Sequence, residues 1–194
     1  MSDEELIAAI ERGERSVGDQ LYERLSRSVD LTLYRTLGGR DADHDDLAQA
    51  AFEQIVTTLA NRRFAKACSL KSWATAITCN VALNVLRSRR YERRLFDGGL
   101  EAQAAGEQVV DDEHDLEASA ATRREFERVR RHLAKMNPER AEALLLHDMF
   151  GKEISEIAVL LGISVAAAQS RLVRGRKELQ RRLLEEPSTI GEDR

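Results

Sequence analysis

Glu156-Ile157-Ala158-Val159-Leu160-Leu161-Gly162-Ile163-Ser164-Val165-Ala166-Ala167-Ala168-Gln169-Ser170-Arg171-Leu172 is the stretch that decides the fold. With Ile154 in front of it, Ile157, Ala158 and Leu161 recur at helical spacing. Ala158 is small, as it must be where a second helix crosses closely. Gly162 permits a tight turn with positive φ, Ile163 plugs the space between two helices, and Ser164 caps the second helix. The spacing predicts a helix-turn-helix. Its second helix leaves Ala166, Ala167, Gln169, Ser170, Arg171 and Arg174 facing outward. Small residues at the front of such a helix let it sink into a major groove, where Gln and Arg read base edges or grip phosphates. Arg176, Lys177, Arg181 and Arg182 extend the basic surface. Glu153 stands where a Ser, Thr, Asp or Asn cap of the first helix is expected.

Immediately upstream, Asn137-Pro138-Glu139 has the chemistry of a helix start: a cap, a proline at the first helical position, then an acid. Leu144, Leu145, Leu146 and Met149 form the buried side of that helix, and Gly151 closes it.

Composition agrees with an all-helical chain. Among 194 residues there are two prolines, which favours long uninterrupted helices. Charged residues make up 33% and no apolar run approaches the ~20 residues of a bilayer span, so direct membrane insertion is not expected. The N-terminus, Met1-Ser2-Asp3-Glu4-Glu5, lacks the pattern of a secretory signal. Cys68 and Cys79 make neither a disulfide framework nor a Cys-x-x-Cys site, and a cytoplasmic location is expected. The net charge of −4 conceals its distribution. Residues 1–95 carry fifteen basic and fourteen acidic side chains, residues 96–122 eight acids and no base, and residues 123–194 fifteen basic and twelve acidic. The chain therefore divides into domains at 1–95 and 123–186, a flexible acidic linker at 96–122 that can bury little apolar area, and a short tail at 187–194.

The first domain reads as a helical bundle. Leu6, Ile7 and Ile10 open one helix. Leu21, Leu25, Val29 and Leu33 mark one face of the next, which Gly38-Gly39 ends. Asp41, Asp43, Asp45 and Asp46 suit the positive end of a third helix. That helix has an apolar stripe (Leu47, Ala51, Phe52, Ile55, Val56, Leu59) and a polar one (Asp46, Gln49, Ala50, Glu53, Thr57). A fourth, from about Leu70 to Leu86, is apolar around most of its circumference and so is expected to be buried. Trp73, Ile77, Asn80, Asn84 and Arg87 share one of its stripes. It runs on into Arg87-Ser88-Arg89-Arg90-Tyr91-Glu92-Arg93-Arg94, five arginines against one acid. A basic run of this kind, continuing from Asn and Trp on one face, is a phosphate-binding candidate.

Taken together, in this order, these blocks resemble a bacterial sigma factor of the extracytoplasmic-function type, in the sigma-70 family. The resemblance spans about residues 5–185. It rests on Asp45-Asp46-Leu47-Ala48-Gln49-Ala50-Ala51-Phe52, on Leu70-Lys71-Ser72-Trp73-Ala74-Thr75-Ala76-Ile77, and on Asn80-Val81-Ala82-Leu83-Asn84-Val85-Leu86-Arg87-Ser88-Arg89-Arg90. In the second domain it rests on Asn137-Pro138-Glu139-Arg140, on Glu156 to Ser164, and on Ser170-Arg171-Leu172-Val173-Arg174-Gly175-Arg176-Lys177-Glu178-Leu179. These stretches in order at fitting separations carry more weight than any one of them.

The resemblance implies a region 2 bundle and a region 4 helix-turn-helix. It implies core RNA polymerase as partner, through its largest-subunit clamp helices and its flap, with Asp46, Leu47, Gln49, Ala50, Glu53 and Gln54 making the clamp contact. Lys66, Ser69, Lys71, Ser72, Trp73, Asn80, Asn84, Arg87 and Arg90 would bind the minus-ten promoter element and assist strand opening. Ser164, Ala166, Ala167, Gln169, Ser170, Arg171, Arg174 and Arg176 would bind the minus-thirty-five element. An anti-sigma factor is a further implied partner; no cofactor, metal or small-molecule substrate is. Relative to the family pattern, Ala50 replaces an acid, Leu70 an aromatic and Gln169 a lysine, the last exchanging a guanine or phosphate contact for an adenine contact. Trp73 has two readings, an aromatic wedge and a core residue.

Three other readings compete. A stand-alone helix-turn-helix regulator explains residues 135–182 and leaves the Asn80–Arg94 stripe without a role. A helical enzyme finds no support in His44, His114, His132 and His147, two placed in acidic loops and two on helices, none at metal-ligand or nucleophile spacing. An adaptor of two helical bundles overlaps with the sigma-factor reading.

Overall fold

A computed structural model describes residues 1–40, 42–96 and 120–186. The body of the expected acidic linker and the tail, with His114, lie outside the described residues. Eight α-helices account for the described architecture, and no strand occurs among the described residues.

Helices α1 (Asp3–Glu11), α2 (Gly18–Leu37), α3 (His44–Ala60) and α4 (Leu70–Phe96) form a first lobe. Ser2 opens α1 with a capping box: its hydroxyl accepts from the Glu5 amide and the Glu5 carboxylate accepts from its own N–H. Leu21, Leu25, Val29 and Leu33 line the inner face of α2 and meet Ala51, Ile55 and Leu59 of α3 and Ala74 and Ala82 of α4. Burying side chains of this size stabilises by about 1.5–3 kcal/mol each. Four of the hydroxyls among them find partners at once. Thr32 donates to the Ser28 carbonyl at 2.6 Å, Thr78 to the Ala74 carbonyl at 2.8 Å, and Ser28 meets Thr75 across the α2–α4 contact at 3.2 Å. Gly38 ends α2 in the left-handed region at φ 89°.

The second lobe contains α5 (Ala120–Leu133), α6 (Pro138–Leu144), α7 (Ile154–Leu161) and α8 (Val165–Glu185). Asn137 caps α6 through its side chain, with Pro138 at the start, as expected. The helix then widens into a π turn over Leu145–Met149, closed by the Phe150 amide on the Leu145 carbonyl at 3.1 Å. α7 and α8 meet at 104° across Gly162, whose φ is 64°, the angle and turn of a helix-turn-helix. Ser164 accepts from the Ala167 amide and caps α8. Glu153 takes the cap position of α7 with no side-chain bond, and its carbonyl accepts from the Ile157 amide at 2.9 Å.

The second core contains Leu133, Met136, Leu144, Leu145, Leu146, Ile157, Ala168 and Leu172, and also Ala76, Cys79 and Leu83. Those last three belong to α4. The fourth helix therefore serves both cores, one along each side, which explains its near-uniform apolarity. At Gly175, α8 passes so close to α6 that a Cβ would lie 2.9 Å from the Arg140 carbonyl oxygen. Arg140 and Arg182 clasp Glu178 at 2.9 and 3.1 Å beside that crossing.

Two expectations change. Val56, read as part of the buried stripe of α3, is 41% exposed, because the inner face of α3 is made by Ala51, Ile55 and Leu59, with Leu47, Ala48 and Phe52 half-buried at its edges. His44, read as a loop residue, is the first residue of α3 and is buried, with Nε2 2.8 Å from Asp30 Oδ1. Asp30 also takes Arg40, and this small cluster ties the start of α3 to α2. Burial pushes the Asp30 carboxyl up, but hydrogen bonds from His44 and Arg40 outweigh it and hold it below the ordinary value.

Candidate nucleic-acid interface

Three surfaces carry the residues singled out by sequence. The first is α3. Asp46, Gln49, Ala50, Glu53 and Gln54 are exposed, while Leu47 is half-buried against the first core. Gln49 donates to Glu53 at 2.9 Å, so amide and carboxylate present one patterned strip. Val56 falls on the same helical stripe as Gln49 and Glu53. Beside it the rings of Tyr22 and Phe52 lie 5.0 Å apart, and Tyr22 is largely exposed. Sequence reasoning missed Tyr22 and Val56 as members of this surface. The signal available was the 49/53/56 spacing, which places a valine among polar neighbours.

The second surface is the stripe of α4. Ser69 stands before its first turn, where its hydroxyl accepts from the Ser72 amide at 3.1 Å. Asn84 donates to Asn80 Oδ1 at 3.0 Å and Arg87 to Asn84 Oδ1 at 3.0 Å, so the three polar residues form one chain along the helix. Lys71 is exposed and Arg90 half-buried. Lys66 has a positive φ of 56° and its ammonium lies 3.8 Å from Glu11. Trp73 is 9% exposed and packs on Phe64 with ring centroids 4.8 Å apart. Of its two readings, this packing is that of a core residue. Ser72 is buried too, and accepts from Lys152 of the second lobe at 2.5 Å.

The third surface is the outer face of α8. Ala166, Gln169 and Arg174 are exposed, Ser164 is exposed at the cap, and Ala167 and Ser170 are half-buried. Ala168, Leu172 and Gly175 face inward. Arg171 leans on Glu139 at 3.0 Å. Arg176, grouped by sequence with the DNA-reading residues, directs its Nε at Asp148 Oδ2, 3.0 Å away, and an Nη at His147 Nδ1 at 3.1 Å. That hydrogen bond holds the Asp148 carboxyl below the ordinary carboxylate range. The π turn is what carries His147 and Asp148 there. So Gln169 and Arg174 are exposed, while Arg176 is tied to its own lobe.

Among the described residues no cluster of three or more His, Cys, Asp or Glu could hold a metal ion. No single described helix is long and apolar enough to cross a membrane.

Comparison with known proteins matches residues 21–92 to the family model for sigma-70 region 2 and residues 126–179 to that for sigma-70 region 4. The chain is 32% identical over 149 residues to the RNA polymerase sigma factor CnrH of Cupriavidus metallidurans, covering 75% of each chain. It is 29% identical over 182 residues to the ECF RNA polymerase sigma factor SigM of Mycobacterium tuberculosis, covering 94% of this chain and 85% of that one. In fold it is similar to CnrH as solved in complex with the cytosolic domain of CnrY, with a TM-score of 0.53 at 23% identity over 95% of this chain and 99% of that one.

Proposed function

The chain belongs to the sigma-70 family of RNA polymerase sigma factors, and from that membership we propose how its three surfaces divide the work. The protein binds core RNA polymerase and directs it to promoters. The exposed strip of α3, Asp46, Gln49, Ala50, Glu53 and Gln54 with Leu47 beneath, docks on the polymerase. The outer face of α8 lies in the major groove of the minus-thirty-five element, with Gln169 and Arg174 as readers and Ser164, Ala166, Ala167, Ser170 and Arg171 lining the approach. The α4 stripe, Asn80, Asn84 and Arg87 with Lys66, Ser69, Lys71 and Arg90, holds the minus-ten element as its strands part. Amides can hydrogen-bond an unstacked base and arginines hold its phosphates, which favours separated strands over duplex. Trp73 supports that helix from within rather than acting as a wedge.

The observation that carries this reading is the coexistence of the α4 Asn-Asn-Arg chain with an open helix-turn-helix on one polypeptide. A stand-alone regulator needs the second only. The acidic segment 96–122 is proposed to lie in polymerase channels built for nucleic acid, where negative charge is attracted. An anti-sigma factor covering one or more of these surfaces is the regulation that fits the family, and the role assigned to the chain involves no catalysis.

The test is co-elution of the purified chain with core polymerase lacking any sigma subunit, followed by run-off transcription on genomic fragments. Stoichiometric binding, competed by another sigma factor, together with new transcripts is expected. Duplex DNA binding by the chain alone without polymerase binding would replace this reading with that of a regulator.

A further inference from the structure

The side of α4 that faces the second lobe is not simply apolar. Ala76, Cys79 and Leu83 sink into the second core, and Cys79 has no exposed surface. Along the edges of that contact run the polar residues assigned above to strand separation. Asn80 Nδ2 points at Glu142 Oε1 of α6, 3.5 Å away, and Arg87 is joined to Asn80 through Asn84 on the same stripe. Ser72 accepts from Lys152 at 2.5 Å. At the far end Arg130 of α5, nearly buried, lays its guanidinium against Gly38 at the C-terminus of α2. A cation there suits the negative end of a helix.

We propose that the second lobe closes over the strand-separating face of the first, with the Glu142 carboxylate set against Asn80, at the head of the Asn80–Asn84–Arg87 chain, where a DNA phosphate would stand. This rests on the reading of α4 given above. A carboxylate offers the same acceptor oxygens and the same sign of charge to an amide and a guanidinium as a phosphate does. The free chain thus masks one DNA-reading surface while leaving exposed the other, the outer face of α8, and the polymerase-docking strip of α3.

The seam is built to open. Arg87 Nε and Nη2 are buried without a hydrogen-bond partner among the described residues, and the Asn80–Glu142 contact is at the outer limit of a hydrogen bond. Buried groups left short of partners cost free energy in the closed form, so opening returns them to water or hands them to DNA. Closure therefore depends on the small apolar patch of Ala76, Cys79 and Leu83 and on the two cationic latches, Arg130 and Lys152.

Cys79 reports the opening directly, because the residues that cover it belong largely to the second lobe. Thiol alkylation of the full chain, with Cys68 and Cys79 separated by mass spectrometry, should modify Cys68 at least ~100-fold faster than Cys79. Arg130→Glu replaces the cation at the α2 terminus with a second acid beside Glu127. It should raise the Cys79 rate at least tenfold and tighten binding of a fluorescent dT20 by several-fold, although it makes the chain less basic. Glu142→Arg should also speed Cys79, and Arg87→Glu added to it should restore protection. Where Arg130→Glu unfolds the second lobe, as judged by circular dichroism, Lys152→Glu provides a second opening variant, by removing the cation from Ser72 and setting a second acid beside Glu156. Equal labelling of the two cysteines in the unmodified chain overturns the proposal. So does a folded opening variant with unchanged Cys79 rate, or faster Cys79 labelling without a gain in dT20 binding. Co-elution of the unmodified chain with core polymerase separates the two readings: if it fails, the assignment of function falls first, and if it succeeds while the variants stay closed, only the mask falls.

Discussion

The α8 face and the α4 stripe are both helical, both basic and both flanked by small or amide side chains, yet they sit in opposite states. Among the described residues, Gln169 and Arg174 are exposed on the outer face of α8. Ser72, Asn80 and Arg87 meet Lys152 and Glu142 from the other lobe or lie beside them. Residue type determines what a surface can bind. Whether it is available depends on what the rest of the chain lays across it, and here that comes from some 60 to 80 positions away in sequence.

The largest effect is expected from separating the two lobes' dependence on Gly175. A leucine there would drive its side chain into the Arg140 backbone, since even a Cβ would lie at 2.9 Å. Overpacking against backbone costs about 3 kcal/mol. Gly175→Leu should unfold the second lobe at much lower urea concentration and leave the first lobe's transition in place, which two-transition unfolding would display. Loss of both transitions together would mean that the cores on the two sides of α4 melt as one.

Next comes the α8 face itself. Arg174→Ala should weaken minus-thirty-five duplex binding by holoenzyme by about 1–3 kcal/mol and leave core polymerase binding unchanged. Arg176→Ala should weaken it far less, because that guanidinium is already engaged by Asp148 and His147. Equal losses would return Arg176 to the reading set.

Sequence alone conveyed the helix-turn-helix almost residue by residue, since each of its devices is local. Asn137, Gly162 and Ser164 act within three or four positions of themselves, and the structure shows each acting so. The inner faces of α1 and α2 were legible for the same reason: one period, one face. What stayed hidden was set by distant contacts. Trp73 could be placed only by seeing Phe64 beneath it. Arg176 looked like its neighbours until the π turn brought Asp148 to it. Val56 fits an apolar stripe by spacing, yet α3 has only so much core to fill. The dual allegiance of α4 left one trace, apolarity on nearly every side, which reads as burial without saying beneath what.

A smaller effect sharpens the contrast between α3 and α8. Glu53→Arg reverses one charge in an exposed strip and should slow association with core polymerase about tenfold at low salt, with less effect at high salt. Promoter binding through α8 should be unaffected once holoenzyme has formed. Stopped-flow association across a salt series distinguishes this from a folding defect, which salt would not rescue.

The smallest effect is a pH dependence in which the second lobe and the seam pull in opposite directions. His132 is buried at the end of α5, with Nε2 2.6 Å from Glu186 Oε2. Burial depresses its pKa, helped by Lys135 and Arg131, and Glu186 offsets this only in part. A histidine whose folded pKa lies below its unfolded value of 6.5 contributes stability that is fully present above 6.5 and is lost as pH falls through the folded value. Glu142 is displaced the other way. Burial raises its pKa above 4.5, and its hydrogen bond from Asn80 and the charges of Arg171 and Arg87 recover only part of this against Glu139. A carboxyl that binds its proton more tightly when folded stabilises the folded form as pH falls through that raised value. Between pH 7 and 5 the unfolding free energy should therefore fall through His132 and be partly sustained through Glu142. His132→Gln should flatten the decline and Glu142→Gln should steepen it, both read from urea midpoints at each pH. If Glu142→Gln instead flattened the decline, the carboxylate would be held chiefly by its cations rather than penalised by burial. The seam would then be a strong ion pair and not a contact poised to exchange one anion for another.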